Sequence, residues 1–125
     1  MSQTADLFRA GVERALAGDH LGYLDLFADD IEFEFPFAPE GRPSHVRGKN
    51  EVRAYLAPLV GRYEGAELAS LTVYETDVPE TIVAEMSITF GTPDGRSAPR
   101  PFVAVVRSAN GKVVSYRDYW KPAAA

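Results

Sequence analysis

The sequence contains no cysteine in its 125 residues. Disulfides, thiolate nucleophiles and Cys-ligated zinc or iron–sulfur sites are therefore excluded. Histidine is almost as scarce: His20 and His45 are the only two, too few for a His-rich metal site. No stretch approaches the roughly 20 consecutive apolar residues of a membrane-spanning helix. The N-terminal MSQTADLFRAGVERAL is amphipathic with early acids, unlike the continuous apolar core of a secretory signal. Basic runs are missing too. Thirteen Lys and Arg lie scattered among eighteen Asp and Glu, for a net charge of −5, which argues against nucleic acid or an anionic membrane as a partner. A cytoplasmic protein without metal or other cofactor is the expectation.

What is present is a globular composition, 46% hydrophobic and 25% charged. A chain of this length buries about two-thirds of its unfolded surface as one domain, and no repeat, linker or low-complexity tract divides residues 1–125. Phe8, Val12, Ala15 and Leu16 recur at helical spacing over residues 4–17, with Thr4 as a candidate N-cap and Gly18 as the stop. Asp19 can cap a second helix carrying Leu21, Leu24, Phe27 and Ala28. Val52, Tyr55, Leu56, Leu59 and Val60 mark a third, which Pro58 bends or shortens.

Residues 67–77, 81–91, 101–108 and 112–120 read as long antiparallel strands, the last two joined by an Asn110-Gly111 turn. This order predicts an α+β fold, three N-terminal helices packed on a curved antiparallel sheet. Val103 and Val105 oppose Phe102, Ala104 and Val106, so both faces of the 101–108 strand are apolar. One face meets the helices; the other calls for a second subunit, and a homodimer through the convex sheet face is the expectation. The face to which Glu85 belongs stays open at this point.

The stretch IEFEFPFAPEG, residues 31–41, alternates so that Phe33, Phe35 and Phe37 share one face of a strand. These aromatics line either an ordinary core or a pocket. On the last strand, Val114, Tyr116, Asp118 and Trp120 share one face, with Ser115, Arg117 and Tyr119 opposite.

ALAGDHLGYLDLFADDIEFEFPF, then HVRGKNEVRAYL and the closing NGKVVSYRDYWKP, resemble the nuclear transport factor two-like superfamily over roughly residues 5–122. Within it the similarity is greatest to SnoaL-like polyketide cyclases, ketosteroid isomerases and phenazine-biosynthesis A/B proteins. The resemblance implies a cone enclosing a deep apolar pocket, with homodimers usual. It makes Phe33, Phe35, Tyr55, Phe102, Tyr116 and Trp120 candidates for binding a small apolar cyclic molecule.

The positions where ketosteroid isomerases carry their base, oxyanion tyrosine and acid hold Phe35, Gly11 and, within one residue, Val103. Steroid isomerisation by the usual residues is therefore not expected. Asp118 matches the position of an acidic Glu in the phenazine-biosynthesis proteins. Between Tyr116 and Trp120, its carboxyl would be desolvated and could donate a proton near neutral pH. His45, in the loop before the third helix, is the second catalytic candidate, placed by the resemblance at the cavity mouth. Arg47 reads as a structural partner for Glu34 or Glu51, and His20 as a surface residue. Limonene-epoxide hydrolases are also relatives, but no second inward Asp accompanies Asp118.

Two functions follow as expectations. One is a cofactor-independent acid/base enzyme of cyclase or isomerase type, in secondary metabolism. The other is a non-catalytic small-molecule-binding or dimerisation module. A third outcome, a cone filled completely by Phe33, Phe35, Phe90, Phe102 and Trp120, would leave no pocket.

Overall fold

The computed structural model describes residues 2–58 and 65–120. Helix α1 spans Gln3–Leu16 and is capped by Ser2, whose side chain accepts the Ala5 N–H at 3.2 Å. The expected cap, Thr4, does something else. It is fully buried, and its hydroxyl donates to the Glu80 carbonyl at 2.9 Å. With its single proton committed there, Thr4 accepts from Ser108 Oγ, 2.5 Å away. Gly18, at φ +79°, ends the helix in the left-handed region that favours glycine.

Asp19 caps α2, accepting the Gly22 N–H at 3.0 Å. This helix, His20–Leu24, is only five residues long. Phe27 and Ala28 belong instead to strand β1, Phe27–Glu34, because Leu26 and Phe27 are already engaged by a distant strand. So short a helix gains little from propagation, and the strand pairing wins. Strand β2 (His45–Arg47) and helix α3 (Lys49–Leu56) follow. The predicted helix positions Leu59 and Val60 lie outside the described residues. Then come β3 (Glu67–Glu75), β4 (Thr81–Thr89), a small hairpin of β5 (Gly91–Thr92) and β6 (Gly95–Arg96), β7 (Arg100–Ala109) and β8 (Lys112–Trp120).

Six strands form one sheet in the order β2-β1-β8-β7-β4-β3. The sheet is mixed, not wholly antiparallel as the sequence suggests: β1 runs parallel to β8, with Phe33 opposite Tyr116. With β2 and β3 at opposite ends it is also open rather than a closed barrel. Helix α1 packs on β3, β4, β7 and β8, and α3 on β1 and β2.

Alternation along β4 and β7 sends Ala84, Ile88, Ala104 and Val106 into the core. Val103 and Val105 are left half-buried on the outer face. Glu85 is exposed on that same outer face, hydrogen-bonded to the Tyr74 side chain. The turn at Asn110-Gly111, with φ of +53° and +78°, is the tight hairpin expected of those residues. Two residue pairs beyond the turn, the register slips. Arg107 pairs with Ser115 and Ser108 with Val113, so Val114 has no counterpart. This bulge reverses the phase of the strand. Val113, not Val114, therefore shares the inner face with Tyr116, Asp118 and Trp120.

The Thr4–Ser108 pair ties α1 to the sheet and yields a test. Thr4→Val leaves buried polar groups unpartnered and should cost about 1–3 kcal/mol. Adding Ser108→Ala should recover part of that loss, so that the double variant is less destabilised than the sum of the singles. Urea unfolding of the four proteins measures the coupling.

Candidate functional site

The inner face of the sheet and helices α1–α3 do not close completely on each other. They leave a cavity of about 130 Å³, partly open to solvent. All six aromatic candidates, Phe33, Phe35, Tyr55, Phe102, Tyr116 and Trp120, line it, as does Asp118. The cone is therefore not filled. Helix α1 contributes Leu7, Phe8, Val12, Ala15 and Leu16 to the opposite wall.

Cross-strand register organises the aromatic wall. Phe33 stacks on its partner Tyr116 with centroids 4.5 Å apart, and on Phe35 at 4.9 Å. Phe35 continues the row onto Tyr55 at 4.6 Å and, more loosely, Trp120 at 6.1 Å. Phe37, beyond Pro36, departs from this pattern: it is 60% exposed, edge-on to Tyr119 at 5.3 Å. The proline ends the ladder, so the third Phe leaves the inner face.

Asp118 lies directly across from Ala104 on β7, between Tyr116 and Trp120 of its own strand. The residue is half-buried, but its Oδ1 is shut off from solvent and has no hydrogen-bond partner. Removal from water without a compensating charge or donor disfavours the carboxylate. Burial accordingly raises its pKa from 3.8 to about 7. Burial likewise lifts the Tyr55 phenol above its ordinary range, opposed by the charge of Arg42 and reinforced by that of Asp118. At neutral pH the cavity thus holds a carboxyl poised between acid and base, beside a phenol that keeps its proton.

His45 is not brought to this site. It sits on the edge strand β2, with a 47% exposed side chain 3.8 Å from Glu32, and it does not line the cavity. The expected place at the cavity mouth is not where the structure puts it, because β2 pairs at the outer edge of β1 and turns this side chain to solvent. Arg47 faces the same Glu32 at 3.8 Å, in place of Glu34 or Glu51. The histidine that does line the cavity is His20, at the start of α2.

Tyr23 is another lining residue that sequence reasoning missed. Its ring passes over Gly11, 3.4 Å from where a Cβ would stand, and so occupies room that a larger residue on α1 would take. A glycine in the middle of the apolar face of α1 was the available signal. Among the described residues, no group of three or more His, Asp or Glu is arranged to hold a metal ion. No described helix is long and apolar enough to cross a membrane.

The carboxyl makes a pH prediction with a definite sign. The folded state keeps the proton up to about pH 7, whereas the unfolded chain releases it near 3.8. Stability is therefore fully present below about pH 4, is lost as pH rises through 7, and levels off above. Asp118→Asn removes this dependence. Thermal unfolding from pH 4 to 8 should show the variant gaining on wild type across that window, by about 1.4 kcal/mol at most for each pH unit between the two values.

Comparison with known proteins agrees with this geometry. The sequence profile of the SnoaL-like domain matches residues 8–116. YesE, an uncharacterised protein of Bacillus subtilis strain 168, is 30% identical over 112 residues, which is 86% of this chain and 74% of YesE. An uncharacterised PhzA/B-like protein of Pseudomonas aeruginosa is 28% identical over 106 residues, 84% of this chain and 74% of that one.

Among solved structures, a Bacillus subtilis protein provisionally assigned as an isomerase superposes with a TM-score of 0.82 at 27% identity, covering 96% of this chain and 87% of that one. The Δ5-3-ketosteroid isomerase of Mycobacterium sp. shares the fold at a TM-score of 0.73 and 23% identity, over 97% and 95% of the two chains. So does a Mycobacterium tuberculosis protein in complex with estradiol-17β-hemisuccinate, at 0.77 and 19%, over 97% and 95%. With the profile spanning most of its length and these folds superposing on nearly all of it, the chain belongs to the SnoaL-like domain family of nuclear transport factor two-like proteins.

Proposed function

We propose that this protein is an acid/base enzyme acting on a small apolar cyclic molecule, of cyclase or isomerase type, with no cofactor required. One observation carries the reading: a carboxyl whose Oδ1 is enclosed and unpartnered stands in the wall of an aromatic cavity. A structural carboxylate in that position would be expected to have an arginine or backbone donors. A group held near pKa 7 is instead matched to proton transfer at neutral pH. Protonated, Asp118 gives its proton to a carbonyl or enolate oxygen. Ionised, it removes a proton beside the carbonyl and returns one from solvent. Tyr55 steadies the oxygen with a hydrogen bond, and the ring wall fixes the pose. The assignment to secondary metabolism rests on the resemblance of the sequence to polyketide cyclases and phenazine-biosynthesis proteins.

A binding module without catalysis is the second reading. It is favoured by Phe35, Gly11 and Val103 or its inward neighbour Ala104, which stand at or beside the positions of the isomerase base, tyrosine and acid. Proton exchange separates the two. In deuterated buffer, wild type should catalyse deuterium entry next to the carbonyl of cyclic ketones, with a rate that responds to a group titrating near pH 7. Asp118→Asn should lower that rate by roughly 10²–10⁴-fold. Equal rates in both proteins would leave the binding module.

The outer sheet face supports a homodimer. Val83 lies in register with Val105, and Val103 with Tyr119, making a half-buried apolar band bordered by Glu85 and Arg117. Two copies of such a band would cover each other. Sedimentation should find a dimer for wild type, and a monomer for Val103→Asp, because burying that charge opposite an apolar surface is costly. A monomeric wild type at all concentrations would remove this reading and leave the pocket chemistry untouched.

A further inference from the structure

We propose that the cavity receives a neutral molecule with a single ring, bearing a carbonyl or phenolic oxygen that sits against Asp118. This deepens the acid/base reading above and rests on it.

Volume is the first argument. The cavity measures about 130 Å³. An apolar cavity of about 150 Å³ is filled by one benzene molecule. One six-membered ring therefore occupies the enclosed space, and the further rings of a polycycle would have to stay outside it.

Polarity is the second. An enclosed carboxyl oxygen without a partner loses a hydrogen bond that water would otherwise supply. A ring oxygen placed there restores it, as acceptor from the acid or, for a phenol, as donor to the carboxylate. A plain hydrocarbon ring does not.

Charge is the third. Among the described residues lining the cavity there is no lysine or arginine, and His20 is the only side chain able to carry a positive charge. An anionic ligand would give up its hydration with little to replace it, and would meet Asp118 besides. Neutral ligands are favoured.

The wall supplies the fourth. Tyr116, Phe33, Phe35 and Tyr55 stack on one another with ring planes within 25°. Rings stacked in a row commit faces to each other and turn edges, the electropositive rim, toward what remains open. The π face of a phenol ring, or the lone pairs of an enone carbonyl, complements those edges.

Trp120 is the only tryptophan in the chain and lines the cavity, so its fluorescence reports occupancy directly. Phenol, cyclohex-2-enone, toluene and estradiol are titrated into wild type, Asp118→Leu and Asp118→Asn. Wild type should bind the two oxygenated rings at least about tenfold more tightly than toluene, and estradiol more weakly than either. In Asp118→Leu the preference for oxygen should vanish while toluene still binds, which shows an intact cavity. Should that variant not fold, Asp118→Ala is titrated in its place, with the preference for oxygen again lost; Asp118→Asn, whose amide still donates and accepts, should keep part of it.

Estradiol bound most tightly, with its affinity lost in the Asp118 variants, would overturn the single-ring proposal and leave the acid/base reading standing. An oxygen preference that survives unchanged in both variants would overturn both, since Asp118 would then not be the group that meets the ligand. Failure of all four probes to bind wild type would overturn the proposal as well.

Discussion

The parallel pairing of β1 with β8 is the contact on which the site depends. Strand β1 ends at Glu34 and β8 begins at Lys112, so their pairing closes a loop over most of the chain. Their register sets Phe33 beside Tyr116 and carries Phe35 into the row with Tyr55 and Trp120. Neither strand makes the wall alone. Alternation in β1 provides two inward rings, and alternation in β8 provides two more with a carboxyl between them. The bulge at Val114 then fixes which side chains near the hairpin face inward, bringing Val113 into the wall.

Against this apolar background the carboxyl of Asp118 is costly. Domains of this size are held together by only about 5–15 kcal/mol, and ionising an enclosed carboxyl consumes a noticeable part of that at neutral pH. The rest of the fold shows how such costs are ordinarily avoided. The buried Thr4 and Ser108 hydroxyls bond to each other and to Glu80, and the exposed acid Glu32 sits near His45 and Arg47. Asp118 Oδ1 has no such partner, and the carboxyl meets the cost by holding its proton up to about pH 7. On the proposed reading, a ligand oxygen supplies the missing hydrogen bond and is preferred at that one point of an otherwise apolar space.

The sequence made much of this site legible because strands obey a period of two. Phe33 and Phe35, and likewise Tyr116, Asp118 and Trp120, could be assigned to common faces without coordinates. The lettering failed where backbone irregularity or distant contacts took over. The bulge at Val114 is invisible to alternation, Pro36 breaks the run before Phe37, and Phe27 leaves its helical pattern because β8 captures the backbone beside it. The histidines show the same limit. Both lie in short polar stretches with nothing local to separate them. Only the placement of α2 beneath the cavity and of β2 at the sheet edge makes His20 a lining residue and His45 an exposed one. Thr4 likewise has the chemistry of a cap, and its true partners lie 76 and 104 positions away.

Resemblance to the steroid isomerases places an acid on the strand now seen as β7, near Val103. Val103 itself faces outward, and the inward position beside it is Ala104, directly paired with Asp118. A directly opposed pair on one sheet face has its Cβ atoms about 5 Å apart. Two carboxyls there would each oppose ionisation of the other, so the small Ala104 and the acidic Asp118 form a consistent pair. The same substitution in space recurs on α1, where Gly11 leaves room and Tyr23 fills it from the neighbouring helix. Both changes alter which element contributes to the cavity wall. An acid mounted on β8 approaches a ligand from between Tyr116 and Trp120 rather than from the adjacent strand. On the proposed acid/base reading the reacting oxygen is held by the aromatic row, and the difference from the isomerases lies in the direction of proton delivery as much as in the missing residues.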